Sequence, residues 1–490
     1  MSARRPLILA AVLVVTAVFA PAVRAKWSAP VTISAPHGQI GSLQLASGST
    51  GDLVIWKYWD LIDAEGIFGP PRASDAVAAR GGSFGTQHPL PASYASGPMV
   101  NLGGGHLAQL ILLRTGVNTT RPEVAMGSVD GSFGPSQPIH GASVLVGRAS
   151  LAGNARGDLL LAWIAANADG EHRVVWASAR PRGGRFGPPQ IVSSRADAEQ
   201  VTAAVDPQGD MVVAFPNKWG RMLARVRRHG QAWGPLQNLG AAAGGNENDV
   251  TPFVGDYGRV VVAWYETQLC EGGCEFPAFI RVAVQPAGES RFRREQALER
   301  DTTGLAGAPS GTSLAPIVLA VGGDAPMVIF LARGATPSTP SPLTPAVVKV
   351  AYPRGLGFAA PQAISLADQQ ASDLAAAAGP SGAIITWIRE DQPSYDTGTV
   401  FAAVRLPATG LFGPPEQVSP SEHVLSALPT FNAASRWPNN SIAPWTLAWT
   451  SRPLSEASTV VRVSSPLCPT ESLPSPAPPS IPPDPTCVGA

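Results

Sequence analysis

Three stretches of this chain place aromatic rings beside carboxylates, and one of them adds an arginine. The first reads Trp56-Lys57-Tyr58-Trp59-Asp60 and is followed by Asp63 and Glu65. The second is Trp264-Tyr265-Glu266, just ahead of Cys270 and Cys274. The third is Trp387-Ile388-Arg389-Glu390-Asp391, with Tyr395 close behind. Such groupings suit sugar recognition, because rings stack on apolar sugar faces while charged groups bind hydroxyls or an acid. Paired carboxylates can also cleave a glycosidic bond, one as acid and the other as base or nucleophile. In that reading Glu266, Asp60 and Glu390 surround one centre, and Tyr265 with Glu266 forms an activated nucleophile. A plainer reading stands beside it. Trp56, Trp264 and Trp387 then belong to the core, Tyr58, Trp59 and Asp60 cap a long surface loop, and Arg389 with Glu390 or Asp391 is a solvated charge cluster.

Other chemistries leave no mark. There is no His-Glu-x-x-His, the seven histidines are scattered, and no phosphate-cradling loop occurs. Asp206-Pro-Gln-Gly-Asp210 lacks the length and acid spacing of a calcium loop and reads as a hairpin turn. The expectation is no metal and no cofactor.

Residues 1–25 have the form of an export signal: Arg4 and Arg5, the apolar run Leu7 to Ala20, then Val23-Arg24-Ala25 as a cleavage site. A membrane anchor is the rival reading, but the apolar run is short and no second span follows. The full chain balances 35 basic against 35 acidic side chains. Removing the signal takes three arginines and leaves a net charge of about −3. No basic stripe exists to hold nucleic acid or an anionic membrane surface. Four lysines against 31 arginines, with heavy Ala, Gly and Pro use, resemble a GC-rich bacterial genome. A secreted or surface-associated bacterial protein is expected. In such a compartment Cys270 pairs with Cys274 and Cys468 with Cys487, and a zinc site is the less favoured reading.

The elements that must position these residues follow from a repeat. An aromatic, usually followed by Gly-Pro and a short apolar stretch, recurs at Trp27, Phe84, Phe133, Phe186, Trp233, Phe292, Phe358 and Phe412. Repeats of this order of length mark solenoids, propellers or arrays. Each unit holds four β signals, shown by Gln190–Ser193, Val201–Val205, Met211–Phe215 and Met222–Val226. The third is apolar throughout, which suits a strand buried on both faces. Helical periodicity is nearly absent and turn residues abound, so the chain reads as all-β.

Four-stranded units repeated radially make a β-propeller, in which every blade is covered by two neighbours. The Phe-Gly-Pro-Pro strand is then outermost, the one place that tolerates lost backbone donors. The chain from residue 26 begins with an anchor strand and ends with a unit lacking one, so the two ends complete one blade. Eight blades over residues 26–465 are predicted, with seven as the alternative and a Pro-rich tail over 466–490. The short turns, such as Asp206 to Asp210 and Gly183 to Phe186, share one face and read as structural. The long loops share the other, where function is expected.

The turn Ser128-Val-Asp130-Gly131-Ser-Phe133 resembles a degraded Asp-box, the turn of bacterial neuraminidase repeats and sialidase-like propellers. The family pattern is Ser-x-Asp-x-Gly-x-Thr-Trp. Ser128, Asp130 and Phe133 match it, whereas the glycine is displaced by one and the threonine is missing. The resemblance implies a propeller and suggests glycans as a ligand class. It transfers no catalytic residue, and the family's Arg-Ile-Pro signature is absent.

The reading favoured by the sequence is a non-catalytic propeller that binds a glycan or a surface protein through its long-loop face. The ligand candidates are Tyr58, Trp59, Asp60, Tyr265, Glu266, Arg389, Glu390, Asp391 and Tyr395. A sialidase-like glycoside hydrolase and a structural surface component are the alternatives.

Overall fold

A computed structural model describes residues 26–467 apart from isolated residues and loop segments. The larger of these segments are 63–68, 140–143, 146–148, 167–172, 242–249, 268–277, 302–314, 322–325, 334–345, 391–397, 406–409, 432–444 and 453–458. The protein is an eight-bladed β-propeller of antiparallel blades. Counted from the axis outward, the first blade is Gln39–Ser47, Gly51–Trp59, Arg72–Ala79 and His88–Leu90. The third is Ala149–Gly153, Leu159–Ala166, Arg173–Arg180 and Gln190–Ile191. The fourth is Thr202–Val205, Met211–Asn217, Arg221–Arg227 and Gln237–Ala241. Each innermost strand touches the next around the ring, and the contact between His423–Phe431 and Gln39–Ser47 closes it. The alternative of seven blades is excluded.

Closure uses both ends of the described chain. Val31–Thr32 pairs with Val460–Ser464 and supplies the outermost strand of the eighth blade. Lys26–Trp27 pairs in addition with Pro466–Leu467.

The aromatic repeat acts at the blade's outer turn. After each aromatic from Phe84 to Phe412, the next residue donates its amide back toward the strand before the turn, as in Gly187 N to Ala179 O and Gly234 N to Val226 O, both 2.9 Å. The prolines follow that bond, where no further donor is needed, and lead into exposed outermost strands such as Gln190–Ile191. Glycines such as Gly183 and Gly230, with φ of 68° and 70°, supply the left-handed residue that reverses the chain.

The second strand of each blade forms the core. Trp56, Trp163, Trp264, Trp387 and Trp449 are fully buried, with Phe215 and Phe330 in matching places. Each of these rings packs on the preceding blade: Trp56 meets Ala448 and Val461, and Trp264 meets Val212 and Ala224. Strand alternation sends the intervening residues to the following blade. That is why these strands carry apolar residues at most consecutive positions rather than at every second one.

Candidate functional site

In each blade, the loop joining second to third strand and the crossover to the next blade share one face. Asp60 begins such a loop, Arg72 ends it, and His37 lies on the incoming crossover. The three meet there. His37 Nδ1 lies 3.0 Å from Asp60 Oδ1, and Arg72 lies 3.5 Å from Asp60 Oδ2. The His37 ring is buried and stacks on Tyr58 with ring centres 3.8 Å apart. Trp59 carries the Lys57 ammonium 5.0 Å from its ring centre. Of the candidates read from sequence, Tyr58 and Asp60 thus share one cluster, with Tyr58 as its buried support, while Trp59, next to Tyr58 in the strand, points to the other side together with Lys57.

The fifth-blade pair is divided by strand geometry. Tyr265 and Glu266 are consecutive in the strand Val260–Thr267, so they point to opposite faces of the blade. Tyr265 is buried against the sixth blade with Phe330 and Val328. Glu266 is buried too and forms an ion pair with Arg281 on the neighbouring strand. Arg281 in turn lies 4.9 Å from the Phe279 ring centre.

In the seventh blade, Arg389 and Glu390 also alternate at the end of the strand Gly382–Glu390. The Arg389 guanidinium lies 5.1 Å from the Phe401 ring centre. Burial pushes the Glu390 carboxyl above its ordinary value, against a hydrogen bond from Ser372 that favours the charged form. Asp391, Tyr395, Asp63, Glu65 and the four cysteines lie outside the described residues.

A further cluster on the same face belongs to the fourth blade. Asn217 Oδ1 accepts amide hydrogen bonds from Trp219 at 3.2 Å and Arg221 at 2.9 Å, which ties the tight turn Asn217–Arg221. The turn holds Trp219 in water, 57 % exposed. The Lys218 ammonium sits 5.1 Å from that ring centre and pairs with buried Asp197. The signal was in the sequence as Asn-Lys-Trp-Gly, a turn former followed by a ring with no apolar strand to bury it.

The opposite face carries the short turns, and two clefts open among them. One, of about 480 Å³, lies between the third and fourth blades and is lined by Arg185, Arg227, His229 and Trp233. The other, of about 670 Å³, lies between the fourth and fifth and is lined by Asp210, Arg228, Tyr257 and Glu289. The turn Ser128–Phe133 is on this face too. Asp130 Oδ1 accepts the Ser132 amide at 2.9 Å and its hydroxyl at 2.6 Å, bonds that hold the Asp130 carboxyl below its ordinary value.

Among the described residues, no group of three or more His, Cys, Asp or Glu could hold a metal ion, and no helix is long and apolar enough to cross a membrane.

No known family profile and no curated protein sequence matches the chain. Solved propellers do resemble it. The BP39L lectin of Burkholderia pseudomallei is 14 % identical with a TM-score of 0.47, covering 78 % of this chain and 100 % of its own. The β-propeller domain of the Trilobed protease of Pyrococcus furiosus is 7 % identical with a TM-score of 0.39, covering 74 % and 91 %. The intramolecular trans-sialidase of Ruminococcus gnavus is 10 % identical with a TM-score of 0.35, covering 87 % and 94 %. These likenesses concern the fold alone.

Proposed function

We propose that the protein is an exported, non-catalytic propeller that binds a glycan or a surface protein through its long-loop face. The observation that carries this reading is Trp219. A hydrogen-bonded turn holds this large ring in water, beside a lysine and a carboxylate. A ring exposed in that way contributes nothing to the core and offers a flat apolar surface with charge at its edge. Trp59, half-buried with Lys57 at its ring, offers a second ring–lysine pair on the first blade. Two such groups on blades well apart around the ring suit an extended or multivalent ligand.

The test is binding of the full chain to a glycan array and to cell-envelope preparations. Trp219→Ala and Trp59→Ala should weaken the captured ligand about tenfold or more, as expected for removal of central aromatic contacts. Unchanged binding in both variants would sink the proposal.

A glycoside-cleaving activity has one observation in its favour. The raised Glu390 carboxyl is what a general acid requires. Glu390→Gln should then abolish hydrolysis of any glycoside the protein cleaves, and an active variant would end that reading.

A further inference from the structure

The clefts on the short-turn face occupy equivalent places at successive blade junctions, yet their chemistry differs. In the cleft between the fourth and fifth blades the charges are already matched. Arg228 donates to Asp210 Oδ2 and to Gly258 O, each at 2.7 Å, and glutamine side chains make up much of the wall. The cleft between the third and fourth blades is not balanced. Arg185 comes from the third blade's turn, and Arg227 and His229 come from the fourth blade.

One acid lines that cleft, Asp158, and both its oxygens are engaged within the fold. Asp158 Oδ1 accepts the Arg182 amide and Oδ2 accepts Asn154 Nδ2, each at 3.0 Å. Arg227 Nε donates to the Gln231 carbonyl at 2.9 Å, which orients the guanidinium without neutralising it. Arg185 and Arg227 have no carboxylate partner among the described residues. Trp233 is half-buried, one part packed on the third blade's core and the rest lining the cleft.

We propose that this cleft binds an anionic sugar, a uronate or a sulfated hexose. Its apolar face would rest on Trp233, and its acid group would lie between Arg185 and Arg227. A planar guanidinium matches a carboxylate or sulfate in two-bond geometry, and an aromatic ring matches the sugar's C–H face. The 480 Å³ volume suits one or two sugar rings rather than a protein segment. His229 adds an imidazole at the rim. This site is on the face opposite Trp219 and stands independently of the long-loop reading.

The experiment is titration of the full chain with glucuronate, galactose-6-sulfate, glucose and galactose, read by tryptophan fluorescence and saturation-transfer NMR. Either or both anionic sugars should bind in the millimolar range, and the neutral sugars at least about tenfold more weakly. Which anion binds distinguishes a carboxylate site from a sulfate site. Arg185→Gln and Arg227→Gln should each weaken binding about tenfold, Arg228→Gln in the other cleft should not, and raised salt should weaken it further. Neutral sugars binding equally well would overturn the proposal. So would the absence of binding to either anion, or a signal that persists in Arg185→Gln and vanishes in Trp219→Ala.

Discussion

Ser193 Oγ accepts a hydrogen bond from the backbone amide of Val175 at 2.8 Å, in a fully buried setting. The same bond joins Ser34 to Val461, Ser365 to Val348 and Ser419 to Val400, at 2.8, 2.9 and 2.9 Å. In each case a serine just past the outermost strand satisfies the amide near the start of the third strand, where sheet pairing stops. A buried amide left without a partner costs about 1–3 kcal/mol. Ser193→Ala should therefore lower stability by about that amount, read from the denaturation midpoint. Ser34→Ala should have the further effect of loosening ring closure, seen as faster hydrogen exchange at Val461. Unchanged midpoints would mean that water takes the hydroxyl's place.

The two classes of tryptophan should separate cleanly. Trp264 is fully buried against the fourth blade and donates Nε1 to the Ala241 carbonyl at 2.9 Å. Trp264→Ala should cost about 3–5 kcal/mol, and Trp264→Phe less, by keeping most of the packing. Trp219→Ala, at an exposed turn, should change stability by no more than about 0.5 kcal/mol. Thermal melts of the three variants decide it, and equal losses would mean that Trp219 is a core residue.

Gly183 and Gly230 test the repeat itself. Both hold positive φ, of 68° and 70°, and an added Cβ would meet nothing within 4 Å. The penalty for alanine is thus purely conformational, about 1 kcal/mol, and asparagine should recover part of it. A neutral Gly183→Ala would show that the turn can adopt another form.

The architecture was legible because a propeller repeats its constraints. Most blades use a left-handed glycine, an aromatic and a proline at the outer turn, as at Gly183, Phe186, Pro188 and Pro189. Fully apolar second strands announced burial on two sides. The serine clamp was visible only as the last letter of Phe186-Gly-Pro-Pro-Gln-Ile-Val-Ser193, because its partner Val175 lies 18 positions earlier on another strand. The strand period divides Tyr265 from Glu266, because successive side chains on a strand point to opposite faces of the sheet. The cleft by Trp233 was harder still, since Arg185 reaches it from the preceding repeat. No single unit of sequence contains that site.

Asp206 gives the fold a pH dependence whose sign is unusual for an aspartate. It is fully buried, and burial, helped by nearby Asp210, pushes its carboxyl up to about 6. Amides of Gln208 and Asp210, at 2.9 and 2.7 Å from Oδ1, oppose that rise without overcoming it. In the unfolded chain the group titrates near 3.9. The folded state therefore holds the proton more tightly. The stability from this group is complete below about pH 4 and is lost as pH rises through about 6. Asp206→Asn keeps the Oδ1 acceptor and removes the titration. Near pH 4 the variant should match the parent, and at pH 7.5 it should be more stable by about 1–3 kcal/mol. Taking the difference between the two proteins cancels the other titrating carboxyls. If the parent instead gains on the variant as pH rises, the amides hold Asp206 ionised, and burial does not govern this turn.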